Sequence, residues 1–166
     1  MKPTVLGASY GLTEYGMEKK YQVPKKEGRE YLSAFFSTFN GMRKWKDAQT
    51  KIKDYVVTIY GRKYWLNPYA NGSENNALNS PVQGSAGDAL KLAGFRFLQQ
   101  WGWTDTNSPI INYVHDELLL EVPKSKAKSA MKLLSKIMIE VAEEMHDGIP
   151  ADAEVNSGHT WHDAHP

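Results

Sequence analysis

The sequence predicts an α+β fold, with helices dominating the first half and a helix-covered antiparallel sheet the second. Three observations predict it. Apolar residues recur at helical spacing after Pro24 and again after Pro123. Two short runs, "YVVTIY" and "YWLNP", flank the turn "GRK". A second pair, Ile110 to Val114 and Leu118 to Val122, flanks the polar trio His115, Asp116 and Glu117. Helices and strands that segregate along the chain, rather than alternate, are the mark of the α+β class.

Each element follows from local chemistry. Residues 2–9 form a short helical segment ended by Tyr10-Gly11, since glycine accepts the left-handed backbone of a helix C-terminus. Thr13 caps a second short helix running through Tyr21. Pro24 opens a third, with Tyr31, Leu32, Phe35, Phe36 and Phe39 on its apolar face. Asn40-Gly41 breaks it, and a basic helix follows from about Met42 to Asp54. After the first hairpin, "NPYANGSENN" at 67–76 reads as a loop. Ser80-Pro81 reads as a capped helix start leading to about Gln100. "GWTDTNSP" is a turn before the second strand pair. Pro123 begins a helix whose apolar face holds Ala127, Met131, Leu134, Met138 and Val141, and the tail carries one last short strand.

Composition narrows the function. Hydrophobic residues make up 41% and charged residues 23% of 166, enough for a packed core. The net charge of +1 lacks the basic excess of a free-standing nucleic-acid binder. The clusters Arg43, Lys44, Lys46, Lys51, Lys53 and Lys124 to Lys136 read first as solvated helix faces. The absence of cysteine excludes disulfides and thiolate metal sites and suits a reducing interior. With no signal peptide at "MKPTVLG" and no membrane-length apolar run, the chain reads as cytoplasmic, with no membrane partner.

Four motifs carry chemistry. The trio His115, Asp116 and Glu117 stands at a hairpin tip, where a carboxylate is held from below and faces open space. That placement suits a hard cation such as Mg²⁺, although Asp and His are also ordinary turn residues. "KPTVLGASYG" stacks Lys2, Leu6 and Tyr10 on one helix face, a cation and an aromatic able to grip a phosphate and stack on a base. "NSPVQGSAGD" places the amides of Asn79 and Gln83 at a helix start, where they can reach minor-groove acceptors. "GRKYW" is a basic hairpin turn. A tail reading of His159, His162 and His165 as a transition-metal site is weaker than that of an ordinary terminal segment.

Taken in this order, the motifs resemble the C-terminal fingers and palm of a family A, DNA polymerase I-like and phage-type, DNA polymerase. "KPTVLGASYG" is similar to the family's K-x3-Φ-G-x2-Y-G fingers helix, "TIYGRKYWLN" to its Φ-G-R hairpin, and "ENNALNSPVQGSAGD" to its E-R-x-x-x-N-x-P-x-Q-G-[ST]-A-x-D segment. "VHDEL" resembles its third polymerase motif and Gly158-x-x-Trp161 its closing G-x-x-W. The resemblance implies a partial right-hand fold, with fingers-like helices and hairpin at 1–76 and a palm segment at 77–166.

It also implies roles. Asp116 would hold Mg²⁺ ions as one of two aspartates, Glu117 would support that site, and His115 would contact the primer end. Lys2 would bind the dNTP triphosphate, Tyr10 would pack at the nascent base pair, and Leu6 stands where the residue bears on sugar discrimination. Asn79 and Gln83 would track the minor groove of primer-template DNA, with Gly84 and Arg62 also at the DNA. Asn75 stands where relatives usually carry Arg. The partner aspartate lies on a D-Y-S-x-I-E-like strand in the family, and no such segment occurs among these residues. The chain is therefore expected to be inactive alone and to need a second polypeptide carrying the exonuclease, thumb and first palm aspartate. A shortened piece of one polymerase is the alternative within that class, and a non-catalytic DNA-binding or scaffold remnant the alternative outside it.

Overall fold

The structure is a computed structural model and describes residues 2–104 and 108–165, with side chains from residue 5 onward. It divides into two compact units, Met1–Gly84 and Ser85–Pro166. The mixture of helices and small antiparallel sheets is the predicted α+β class. None of the described helices is long and apolar enough to cross a membrane.

The first unit begins with α1 (Lys2–Ser9) and α2 (Glu14–Tyr21). Gly11, at φ +90°, turns the chain between them, and a side chain there would collide with Asn75. Thr13 caps α2 as predicted, its Oγ1 accepting from the Gly16 amide at 3.2 Å. Glu14 in the first turn and Lys19 and Lys20 in the last complement the helix dipole. α3 (Lys25–Thr38) follows Pro24, and its buried Gly28 lets the backbone approach Glu14 and Met17 of α2. The break predicted at Asn40-Gly41 falls at Phe39, and α4 (Asn40–Gln49) starts at once.

β1 (Tyr55–Val57) and β2 (Lys63–Trp65) form the first hairpin, with Val56 opposite Tyr64. Val56, Leu66 and Ala77 make its small core. Ala77 belongs to α5 (Ser73–Trp101), and here the structure corrects the sequence reading. Residues 73–76, the end of the expected loop, are helix, and Pro81 lies inside α5 instead of opening it. Ala77 and Leu78 are 0% and 1% exposed, so burial of that early turn favours continuing the helix upstream of Pro81. Pro81 removes the bond an N–H there would have given to the Ala77 carbonyl and crowds that carbonyl with its ring, a cost that the burial of Ala77 and Leu78 offsets.

The second unit packs the rest of α5, β3 (Ile110–Val114), β4 (Glu117–Leu120) and α6 (Ala127–Met145) around one core. Phe97, Ile137 and Val141 are its most buried large side chains. The buried stripe of α6 is Ala130, Leu134, Ile137 and Val141. It shares Leu134 and Val141 with the predicted face but is rotated, leaving Ala127, Met131 and Met138 half-buried on its flank. A 3₁₀ turn, Lys124–Lys126, precedes α6 where the helix was expected to start at Pro123. No strand forms in the described tail. It ends instead in α7 (Trp161–Ala164), closed by a capping box between Thr160 and Asp163.

Candidate active site

β3 and β4 pair antiparallel up to Val114 opposite Glu117, so His115 and Asp116 alone form the turn. His115 has φ 54°, in the left-handed region that a non-glycine residue enters at a cost. Ile111 is unpaired between the Ile110–Leu120 and Asn112–Leu119 pairs, a bulge that adds twist to the strand leading to the turn. Leu118, 7% exposed, anchors the hairpin in the core directly behind it. Further down, the Tyr113 ring lies against bare Gly94 of α5, and burial pushes the Tyr113 phenol up from its ordinary pKa.

The three tip residues face different surroundings. His115 and Asp116 are exposed, and no hydrogen bond or ion pair among the described residues engages the Asp116 carboxylate. Asp116 rims a cavity of about 140 Å³ whose walls are otherwise apolar, built from Ala86, Ala89 and Ala93 of α5 and Met138 and Val141 of α6. Glu117 is held from both sides. Its Oε1 accepts from Trp161 Nε1 at 3.2 Å, and its Oε2 lies 3.5 Å from His165 Nε2. Gly158 makes that contact possible, because a side chain on it would strike Asp163 and the backbone of Ala164 in α7. The G-x-x-W spacing is thus the seat of a clamp on Glu117. In the sequence Trp161 entered only through the G-x-x-W motif and His165 only through the weaker transition-metal reading of the tail; neither was read as a partner of Glu117.

The remaining predicted residues belong to the first unit. Lys2 opens α1, but its side chain lies outside the described residues. Leu6 is 59% exposed and Tyr10 is half-buried one turn later, on the same face. Asn79 and Gln83 are both exposed and four residues apart on α5, within the helix rather than at its start. Arg62 and Gly84 meet each other, with Arg62 Nη2 donating to the Gly84 carbonyl at 3.1 Å. Thr58 completes that junction: it is 4% exposed, and its Oγ1 accepts from the Arg62 amide at 3.1 Å. Both residues therefore dock the hairpin loop onto α5.

A metal has a limited donor set here. Among the described residues, no three His, Asp or Glu side chains converge on one point. Asp116 fits a hard cation, being an exposed carboxylate without a partner among the described residues. Glu117 does not, because both its oxygens are already turned to Trp161 and His165.

The model of DNA polymerase family A matches residues 1–163. DNA polymerase I of Streptococcus pneumoniae (strain TIGR4) is 31% identical over 98% of this chain, and that of Geobacillus stearothermophilus is 29% identical over 98%. The chain spans 19% of the length of each. Among solved structures, the POL domain of Pol1 from M. smegmatis, in complex with DNA primer-template and dNTP, superposes with a TM-score of 0.81 at 27% identity, over 98% of this chain and 30% of that one. The chain belongs to DNA polymerase family A.

Proposed function

We propose that this chain supplies the nucleotide-receiving helix and one metal-binding carboxylate of a DNA-directed DNA polymerase. The observation that carries the proposal is the state of Asp116. It stands on a two-residue turn, anchored behind by Leu118 and beside by the clamped Glu117, with its carboxylate unengaged. A rigid platform under a free carboxylate is what template-directed nucleotidyl transfer requires of a metal ligand. Asp116 would hold Mg²⁺, which when bound would supply activation of the primer 3′-hydroxyl and charge neutralisation on the leaving pyrophosphate.

The chain's own residues take complementary parts. Lys2 balances the triphosphate charge at the start of α1. Leu6 and Tyr10 present one face to the sugar and the nascent base pair, and His115 meets the primer end. Asn79 and Gln83 reach minor-groove acceptors of the primer-template duplex, which are similar for all base pairs and so report shape rather than sequence. Arg62 and Gly84 act at the DNA indirectly, by holding the hairpin loop on α5. Residues 1–76 then correspond to fingers and 77–166 to palm. Two metals need a second carboxylate, which comes from polymerase sequence outside these 166 residues, on the same or a separate polypeptide.

Primer extension with Mg²⁺ and dNTPs tests this. The chain would be assayed alone, mixed with a polypeptide carrying the upstream polymerase segment, and mixed as Asp116→Asn. Extension in the mixture, abolished by the substitution, is expected. Extension by the chain alone would overturn the need for a second carboxylate. Duplex binding without extension in any mixture would favour a non-catalytic DNA-binding role.

A further inference from the structure

Away from Asp116, one groove of the first unit has the makings of an anion site. It measures about 310 Å³ and is lined by Glu14, Arg29, Leu32, Ser33, Phe36 and Arg43. Arg29, Leu32, Ser33 and Phe36 follow helical spacing and share one face of α3. Lys46, one turn beyond Arg43 on α4, sits with Nζ 4.8 Å from the centre of the Phe36 ring. Two arginines thus line the groove with one carboxylate, Glu14, whose Oε1 is 3.4 Å from Arg29 Nη2. Arg29 remains 72% exposed in that contact, too open for one ion pair to neutralise it strongly. No hydrogen bond or ion pair among the described residues engages the Arg43 guanidinium.

Two guanidinium groups in one groove call for an anion with forked oxygens, and phosphate matches that geometry. The volume lies at the lower end of ligand sites, roughly 300–1,000 Å³, which suits one nucleotide and not a duplex. Leu32 and Phe36 add an apolar, partly aromatic wall on which a base or sugar can rest.

We propose that the Arg29–Arg43 groove binds a phosphodiester, with its nucleotide, of single-stranded nucleic acid. The proposal rests on the polymerase reading only in taking the chain to meet nucleic acid. It gives a purpose to basic residues that sequence alone assigns to a solvated face.

The test is fluorescence anisotropy of labelled oligothymidylate on the 166-residue chain across salt concentration. Each phosphate contact to a single strand contributes about 0.7 to the slope of log K against log salt. Losing two contacts in Arg29→Gln/Arg43→Gln lowers the slope by about 1.4, so between about 50 and 200 mM salt wild-type affinity falls about sevenfold more than that of the variant. Ser33→Glu, which keeps both arginines but places a carboxylate in the groove, is expected to weaken oligothymidylate binding as well. Blunt duplex should bind both variants as it binds wild type. An unchanged slope in the double variant, full binding by Ser33→Glu, or equal losses for duplex and single strand would overturn the proposal. Displacement by inorganic phosphate at matched phosphate concentration would also overturn it, assigning the groove to a free anion. Failure to bind primer-template while oligothymidylate binds through these residues would sink the polymerase reading and leave the groove standing. The reverse pattern would sink the groove alone.

Discussion

Three glycines of α5 offer a controlled comparison, because the same substitution meets three different surroundings. Replacing glycine by alanine in a helix interior gains about 0.8–1.0 kcal/mol wherever the new methyl is free. At Gly87 a Cβ would meet nothing within 4 Å, so Gly87→Ala should stabilise by nearly that full amount. At Gly84 the methyl would stand 2.7 Å from Thr58 Cγ2 and 3.2 Å from Arg62 Nη2. Thr58 is buried and bonded to Arg62 through both its amide and its hydroxyl, so it has little room to give. Overpacking of that kind costs about 1–3 kcal/mol and outweighs the helix gain, leaving Gly84→Ala destabilised by up to about 2 kcal/mol.

Gly94 falls between these two. Its methyl would collide with the Tyr113 hydroxyl and crowd Cζ at 3.1 Å, but Tyr113 is 44% exposed and its ring can swing outward. The expected order of stability is Gly87→Ala, wild type, Gly94→Ala, Gly84→Ala, read from urea unfolding of the chain. With a slope of roughly 1–3 kcal/mol per molar urea, a difference of about 1–3 kcal/mol separates the extremes by about 0.3–3 M at the midpoint. In a Tyr113→Phe background the Gly94→Ala penalty should shrink, since the nearest colliding atom is gone. If Gly84→Ala stabilised as much as Gly87→Ala, the docking of the hairpin loop on α5 would be refuted.

Two further outcomes follow from the second unit. Trp161→Phe keeps the ring but removes the donor to Glu117, a partly exposed bond worth about 1 kcal/mol, so extension in the reconstituted mixture should slow by up to about fivefold with KM for dNTP unchanged; an unaltered rate would show that the clamp does not position the turn. Arg96 donates to both oxygens of Glu144 at 2.7 and 2.8 Å and, chiefly by that bonding, holds the Glu144 carboxyl below its usual value of 4.5. A lowered pKa stabilises above the unfolded value and is lost as pH falls through the folded one. The melting-temperature gap between wild type and Glu144→Gln should therefore be full at pH 7 and close below about pH 4.5, and a gap independent of pH would contradict the pairing.

What could be read from the sequence was local. Thr13 as a cap, Pro24 before α3, and a polar hairpin tip between apolar strands each depend on a few adjacent residues, although Glu117, expected at the tip with His115 and Asp116, instead pairs with Val114 and opens β4. The errors arose where a distant contact outweighed a local signal. Ser80-Pro81 has the composition of a helix start, yet burial of Ala77 and Leu78 in the first unit carries α5 eight positions upstream of Pro81, to Ser73. The α6 stripe was rotated because periodicity alone does not say which of Ala127 and Ala130 meets the core. The clamp on Glu117 joins residues 44 positions apart, and the Arg62–Gly84 contact spans 22, so no local periodicity could have exposed either.

The contrast between Asp116 and Glu117 explains why two carboxylates stand side by side. Glu117 is the first residue of β4 and pairs with Val114, so its backbone belongs to the ladder and its side chain can be fixed by the tail. Asp116 precedes it in a turn whose other residue, His115, is already in a strained backbone region, so its side chain is directed by the turn and not by the sheet. Clamping Glu117 through Trp161 fixes the end of β4 and thereby limits where Asp116 can move, without placing a competing donor on Asp116 itself. A ligand carboxylate needs both conditions: a backbone that does not wander, and oxygens that no protein hydrogen has claimed. Exchanging the two residues would forfeit both, since a turn Glu adds a rotatable bond and a strand Asp is too short to reach the same clamp. On the function proposed above, the order Asp-Glu at this hairpin divides the labour, with the carboxylate on the strand held so that the one in the turn would be free to bind.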